Sequence, residues 1–151
     1  MRRKDREITD LIEQEKILKD SIICRLAFHD DPYPYIVPVN YGYNDKKLYL
    51  HCANHGYKVE LMEKNPLVTF EIDSKTEVIQ IEDGSTMKYQ SLIGFGKLVK
   101  CQNDEEKELA LKYLIEHHGG VHQNHSQRAL DSVTMLVLEI EKMTGKANLK
   151  K

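Results

Sequence analysis

The chemistry this chain can do is concentrated where the apolar run Leu48-Tyr49-Leu50-His51-Cys52 gives way to Ala53-Asn54-His55-Gly56-Tyr57-Lys58. The run reads as a strand, and Asn54 or Gly56 can then start a helix. Tyr57 and Leu61, with Val59 and Met62, bring the apolar side chains near one helix face. Asn65-Pro66 ends it, because a residue before proline leaves helical space. A helix that starts directly after a strand presents the unpaired N–H groups of its first turn and the positive end of its dipole at one point. That point suits an anion, and phosphate above all. Lys58 lies within this turn and can add its ammonium to the cradle. Without a ligand it works against the dipole and is simply a solvated lysine on a short surface helix. The residues leave both readings open. His51, directly before the cradle, is either a half-buried strand histidine or a hydrogen-bond or proton donor beside a ligand.

Other chemistries find less support. His117, His118, His122 and His125 are densely spaced, but no cysteine or carboxylate near them in the sequence completes a known ligand pattern. The dipole at a helix C-terminus accounts for the first pair, so no metal site is expected. Hydrolase chemistry lacks a Gly-x-Ser-x-Gly elbow, and Cys52 has no evident activating partner. Gly94-Phe95-Gly96 sits inside a strand, where no dinucleotide fingerprint belongs. The 3 cysteines, Cys24, Cys52 and Cys101, are odd in number and unpaired in spacing, which fits a reducing cytoplasm.

The elements that must position these residues follow from the rest of the pattern. A chain of 151 residues fits one domain spanning 1–151. Its net charge of −2 argues against nucleic acid or an anionic membrane surface as partner. The Met1-Arg2-Arg3-Lys4-Asp5-Arg6-Glu7 start is too charged for a secretory leader and reads as a solvated arm, and no apolar run reaches membrane-spanning length. Asp10 with Glu13 caps a helix to about Lys19. Strands follow at Ser21–Phe28 and Tyr35–Tyr43, then a tight turn at Asn44-Asp45-Lys46 into Lys47–Cys52. Further strands are expected at Leu67–Ile72, Glu77–Ile81, Met87–Cys101 and Val133–Ile140. A helix capped by Asn103 or Asp104 runs to Gly119-Gly120. Val121–Asp131 reads as a loop and Lys146–Lys151 as a solvated tail. Pro38 in mid-strand calls for an edge, a bulge, or a planar ligand against the backbone. Gly94 and Gly96 leave one side of their strand bare, which suits a bend, a bulge, or close packing of a ring or another backbone. The class is mainly β with short helices, and many antiparallel strands with hairpin turns favour a barrel.

Six pieces of the chain, in order, carry a resemblance. They are Arg2-Arg3-Lys4-Asp5-Arg6-Glu7-Ile8, Pro34-Tyr35-Ile36-Val37-Pro38-Val39-Asn40, Leu48-Tyr49-Leu50-His51-Cys52-Ala53 with Gly56-Tyr57-Lys58, Ser91-Leu92-Ile93-Gly94-Phe95-Gly96, and Met143-Thr144-Gly145-Lys146-Ala147. The chain resembles the pyridoxamine 5′-phosphate oxidase-like FMN-binding split barrels, and within them the nitroimidazole-reductase branch. The resemblance implies a six-stranded antiparallel Greek-key split barrel that forms a homodimer, with two FMN sites at its interface. The flavin is then expected against the backbone of Val37, Pro38, Val39 and Asn40. Its phosphate belongs at the turn into the short helix, held by His51, Cys52, Ala53 and Lys58, while Ser91 contacts the flavin from the long strand. The implied activity is an FMN-dependent reduction of small nitroaromatic or nitroimidazole-type acceptors with NAD(P)H as a donor, and His51 is the candidate catalytic residue. The alternative is a non-catalytic flavin- or haem-binding module on the same barrel. Two departures bear on this. Tyr57 stands where many relatives have arginine, so the phosphate rests more on Lys58, the amides and the tyrosine hydroxyl. The chain also lacks the tryptophan and arginine-rich C-terminal motif of the true pyridoxamine phosphate oxidases, so that activity is not expected.

Overall fold

A computed structural model describes residues 2–149. Its strands are β1 (Glu7–Ile8), β2 (Ile23–Phe28), β3 (Tyr35–Asn40), β4 (Gly42–Asn44), β5 (Lys47–Cys52), β6 (Leu67–Ile81), β7 (Gly84–Lys100) and β8 (Thr134–Asn148). Its helices are α1 (Leu11–Asp20), α2 (Tyr57–Lys64), α3 (Asp104–His117) and α4 (Gln127–Asp131). All strand pairs are antiparallel, in the order β3-β2-β6-β7-β8-β5-β4, and β1 adds to β8.

The two ends of that order belong to one continuous stretch. Residues 35–43 are expected as a single strand, and the structure interrupts it at Tyr41. The part before the break pairs with β2 and the part after it pairs with β5. The sheet is thereby closed into a barrel, with a split where β3 and β5 touch without forming a ladder. Counted with β3 and β4 as one bent strand, the barrel has the six strands expected of it. Tyr41 is wholly buried and its hydroxyl donates to the Leu18 carbonyl at 2.8 Å, which fastens α1 across the barrel at the break. Burial, and after it the neighbouring Cys24, push this phenol's pKa up.

Alternation of the inward-facing residues fills the interior with Leu48, Leu50, Phe70, Ile72, Leu92 and Leu138, all buried. The long β7 bends over this core at its glycines. A Cβ at Gly94 would lie 2.2 Å from the Phe70 ring, and one at Gly96 would lie 2.2 Å from the Glu139 carbonyl oxygen. The β7–β8 register shifts between Phe95 and Gly96. The bare side of the strand therefore accommodates a core ring, a neighbouring backbone and a bulge together.

Local signals place most boundaries. Asp10 accepts from the Ile12 amide at 2.8 Å to start α1, and Asn103 accepts from the Glu106 amide at 2.9 Å to start α3. Asp45 and Lys46 both take positive φ, 45° and 59°, the two-residue turn that matches strand twist. Three expectations are corrected. The two strands at 67–72 and 77–81 are one strand, kinked where Lys75 takes φ 55° and the register shifts between Ser74 and Glu77. The loop 121–131 contains α4, capped by Ser126, whose hydroxyl accepts from the Ala129 amide. The tail from Lys146 is ladder as far as Asn148: Lys146 lies opposite Glu7, and the Asn148 side chain donates to the Met87 carbonyl at 2.6 Å. The same pairing ties down the basic arm, whose Arg6 reaches the Tyr89 hydroxyl at 3.3 Å. Lys150 and Lys151 lie outside the described residues. Among the described residues, no helix is long and apolar enough to cross a membrane.

Candidate functional site

The corner between β5 and α2 is open. Cys52 ends the strand buried against the core, and Ala53, Asn54, His55 and Gly56 are exposed. Gly56 takes φ 128° as the N-cap of α2, a backbone shape an L side chain resists, although a Cβ there would meet nothing within 4 Å. It offers no capping side chain, so only its carbonyl engages the helix, accepting from Val59 at 2.9 Å and Glu60 at 3.1 Å. The first-turn amides ahead of these lack intrahelical acceptors. Lys58 is half-buried in that turn, and among the described residues its ammonium has no carboxylate partner. Burial pushes the Cys52 thiol pKa up, and the nearby charge of Lys58, then of Lys100, partly opposes this.

Strand β3 borders the same corner. It pairs only with β2, so Pro38 sits in an edge strand, as its missing donor requires. Val37 and Val39 lean on the core, while Pro38 and Asn40 are exposed. Tyr35, at the start of β3, receives the edge of the Tyr57 ring at 5.3 Å between centroids. The Tyr57 hydroxyl donates to Asp30 at 2.6 Å, a bond that raises the phenol's pKa. The hydroxyl expected to help a phosphate is therefore engaged with a carboxylate. His51 is exposed on the outer side of the barrel, opposite Met135 in the ladder.

One expected residue stands apart. Ser91 lies on the outward face of β7, between Asp73 of β6 and Lys146 of β8. The end of β7 that reaches α2 is Lys100, paired to Glu63 at 2.6 Å. Nine residues of strand, a path of roughly 30 Å along a strand that bends at its glycines, lie between Ser91 and Lys100. His51, Cys52, Ala53 and Lys58 follow one another at one corner, whereas Ser91 lies on the row that runs through Asp73 of β6 toward the Ile23–Asn40 pair of β2 and β3.

Two hollows of the chain lie away from Lys58. One of about 520 Å³ opens on the outward face of the sheet, lined by Ile36, Leu67, Thr69 and Phe95 among others. A second, of about 310 Å³, lies between Tyr49, Val99, Leu109 and Val137. One positioning residue was missed in the sequence. Asn54 donates to the Asp131 carbonyl at 2.7 Å and accepts from the Thr134 hydroxyl at 2.9 Å, pinning the turn between β5 and α2 to the junction of α4 and β8. The histidines split into two pairs. His117 ends α3, with a ring nitrogen 2.7 Å from the Ser21 carbonyl and its ring on Tyr41. His122 and His125 converge on Glu108 of α3, a carboxylate 14 residues upstream of His122 that sequence spacing did not bring into view.

Over residues 11–147 the chain matches the family model described as pyridoxamine 5′-phosphate oxidase. Among solved structures, a candidate 5-nitroimidazole antibiotic resistance protein from Bacteroides thetaiotaomicron is similar with a TM-score of 0.88 at 27% identity, covering 93% of this chain and 86% of that one. The FAD and haem binding protein from Mycobacterium smegmatis shares the fold with a TM-score of 0.85 at 16% identity, covering 96% and 74%. So does a FAD-binding protein from Mesorhizobium loti, with a TM-score of 0.71 at 24% identity, covering 94% and 95%. No curated protein matches.

Proposed function

Because the chain belongs to the pyridoxamine 5′-phosphate oxidase family, we propose that it is an FMN-dependent oxidoreductase acting on small nitroaromatic acceptors of the nitroimidazole type, with a reduced nicotinamide nucleotide as donor. The observation that carries this reading is the corner itself: an uncapped helix start, with the unpaired Lys58 ammonium in its first turn, beside the proline-bearing edge strand. The first-turn amides and Lys58 hold the phosphate. The backbone of Val37 to Asn40 backs the ring system, where Pro38 withholds a donor that would otherwise pair with another strand. Flavin, when bound, supplies the redox chemistry by accepting a hydride and passing on electrons. His51, exposed beside the corner, contacts the acceptor or supplies a proton. Ser91 is too far along its strand to serve the same corner, so the reading includes a homodimer in which Ser91 serves the flavin held by the second chain.

The experiment begins with the absorption spectrum of freshly purified protein. FMN gives two visible bands. Lys58→Glu, which puts a carboxylate in the cradle, is expected to purify with at least about tenfold less flavin. Unchanged flavin content would sink the assignment. A single intense haem band would instead support a haem-binding module. Oxidation of NAD(P)H that depends on an added nitroimidazole then separates an enzyme from a carrier.

A further inference from the structure

Glu108, on the exposed flank of α3, has both of its oxygens committed to a loop that follows the helix. Its Oε2 lies 2.9 Å from His122 Nε2 and 3.0 Å from His125 Nδ1. Its Oε1 accepts from the His125 backbone amide at 2.6 Å. The three side chains are only partly accessible, at 22%, 17% and 27% for Glu108, His122 and His125. These donors meet at one point: an atom from each lies within 4.8 Å of the others. A tetrahedral ion with ligand bonds of about 2.0–2.1 Å holds neighbouring ligand atoms roughly 3.3 Å apart. The present 2.9 and 3.0 Å separations need to open by only a few tenths of an ångström.

Chemistry and scaffold agree with that geometry. Two imidazoles and one carboxylate form a set that zinc and other borderline divalent ions accept, leaving a position for water. The backbone amide on Oε1 fixes the carboxylate's orientation, as the outer shell of a metal site does. Glu108 is anchored in a helix of 14 residues, and the histidines are three apart in the short connection ahead of α4. Hydrogen bonds alone turn the same two ring nitrogens to Oε2 as N–H donors, and a metal takes them as lone-pair ligands with their protons released.

We propose that Glu108, His122 and His125 bind a divalent transition ion of the zinc class, which clasps the connection between α3 and α4 to the flank of α3. The role is structural. Beyond the clasp, α4 runs to Asp131, whose carbonyl holds Asn54 of the phosphate turn, so the ion stiffens a connection that ends at the flavin corner. The site stands independently of whether flavin binds.

Calorimetric titration of zinc into tag-free, chelator-treated full-length protein tests this. One zinc per chain is expected, at micromolar affinity or tighter, with a rise in melting temperature on addition. Glu108→Gln and His125→Ala should each weaken binding by at least about tenfold, the loss that follows even from removing an outer-shell partner. His118→Ala, which alters an exposed histidine outside the cluster, should bind as the parent does. Loading the unaltered protein with Co²⁺ should give the visible bands of a low-coordinate nitrogen and oxygen site, and this readout needs no variant to fold. Absence of stoichiometric zinc binding, absence of the cobalt bands, or binding unchanged in Glu108→Gln would each overturn the proposal.

Discussion

Tyr57 and Asp30 set how much positive field the helix start keeps for an anion. The 2.6 Å hydrogen bond between them holds a carboxylate one side chain away from the turn that contains Lys58. A unit charge about 7 Å from a phosphate in water-like surroundings is worth roughly 0.6 kcal/mol. Asp30→Asn removes that charge and keeps an acceptor for the Tyr57 hydroxyl. FMN should therefore bind the variant about two- to threefold more tightly, and the gain should shrink as salt screens the charge. Fluorescence titration of FMN at low and high ionic strength checks both parts. A dissociation constant that does not move at low salt would mean that the phosphate lies elsewhere.

The elements divide into those specified nearby and those specified across the fold. Gly42 shows how tight the second kind is: a Cβ on it would lie 2.3 Å from the Tyr113 carbonyl oxygen, because α3 rests directly on β4. Gly42→Ala forces that helix away and should destabilise the protein by about 1–3 kcal/mol, read as a lower urea midpoint with little change in slope. Whatever a few neighbouring residues dictate was legible in the sequence. Asp10 and Asn103 cap their helices, Asn65-Pro66 closes α2, and Pro38 marks an edge. The corner between β5 and α2 was legible for the same reason, since strand, glycine and lysine follow one another directly. Long-range pairing decided the rest. The break at Tyr41 depends on a bond to Leu18, the extension of β8 depends on β1, and Asn54 gains its role from Asp131 and Thr134, some 80 positions away. Glu108 escaped notice because a loop, not a motif, carries His122 and His125 back to it.

At the scale of the whole molecule the barrel is unevenly clothed. Helix α3 covers the outside of β5 and β8, where Ala110 and Leu114 pack on Tyr49 and Met135. Among the described residues, no helix covers the outward face of β2, β3, β6 and β7 in this way. On it Ile36 is 61% exposed, Leu67 54% and Phe95 46%, around the hollow of about 520 Å³, and Ile93 is 45% exposed on the same strand as Phe95. Ladder pairing sets Ile36, Ala27, Thr69 and Phe95 in one row across four strands. A continuous apolar face of this kind is the sort of surface a second subunit buries. Phe95→Glu places a charge at its centre without touching the core, since the side chain points away from Phe70 and Leu92. Wild-type protein should sediment as a dimer and the variant as a monomer, with unchanged far-ultraviolet circular dichroism. If the flavin site needs both chains, as the remoteness of Ser91 from Lys58 argues, the monomer should also lose its flavin. A monomer that keeps its flavin would mean that one chain completes the site. A variant that stays dimeric would place the interface on another face of the barrel.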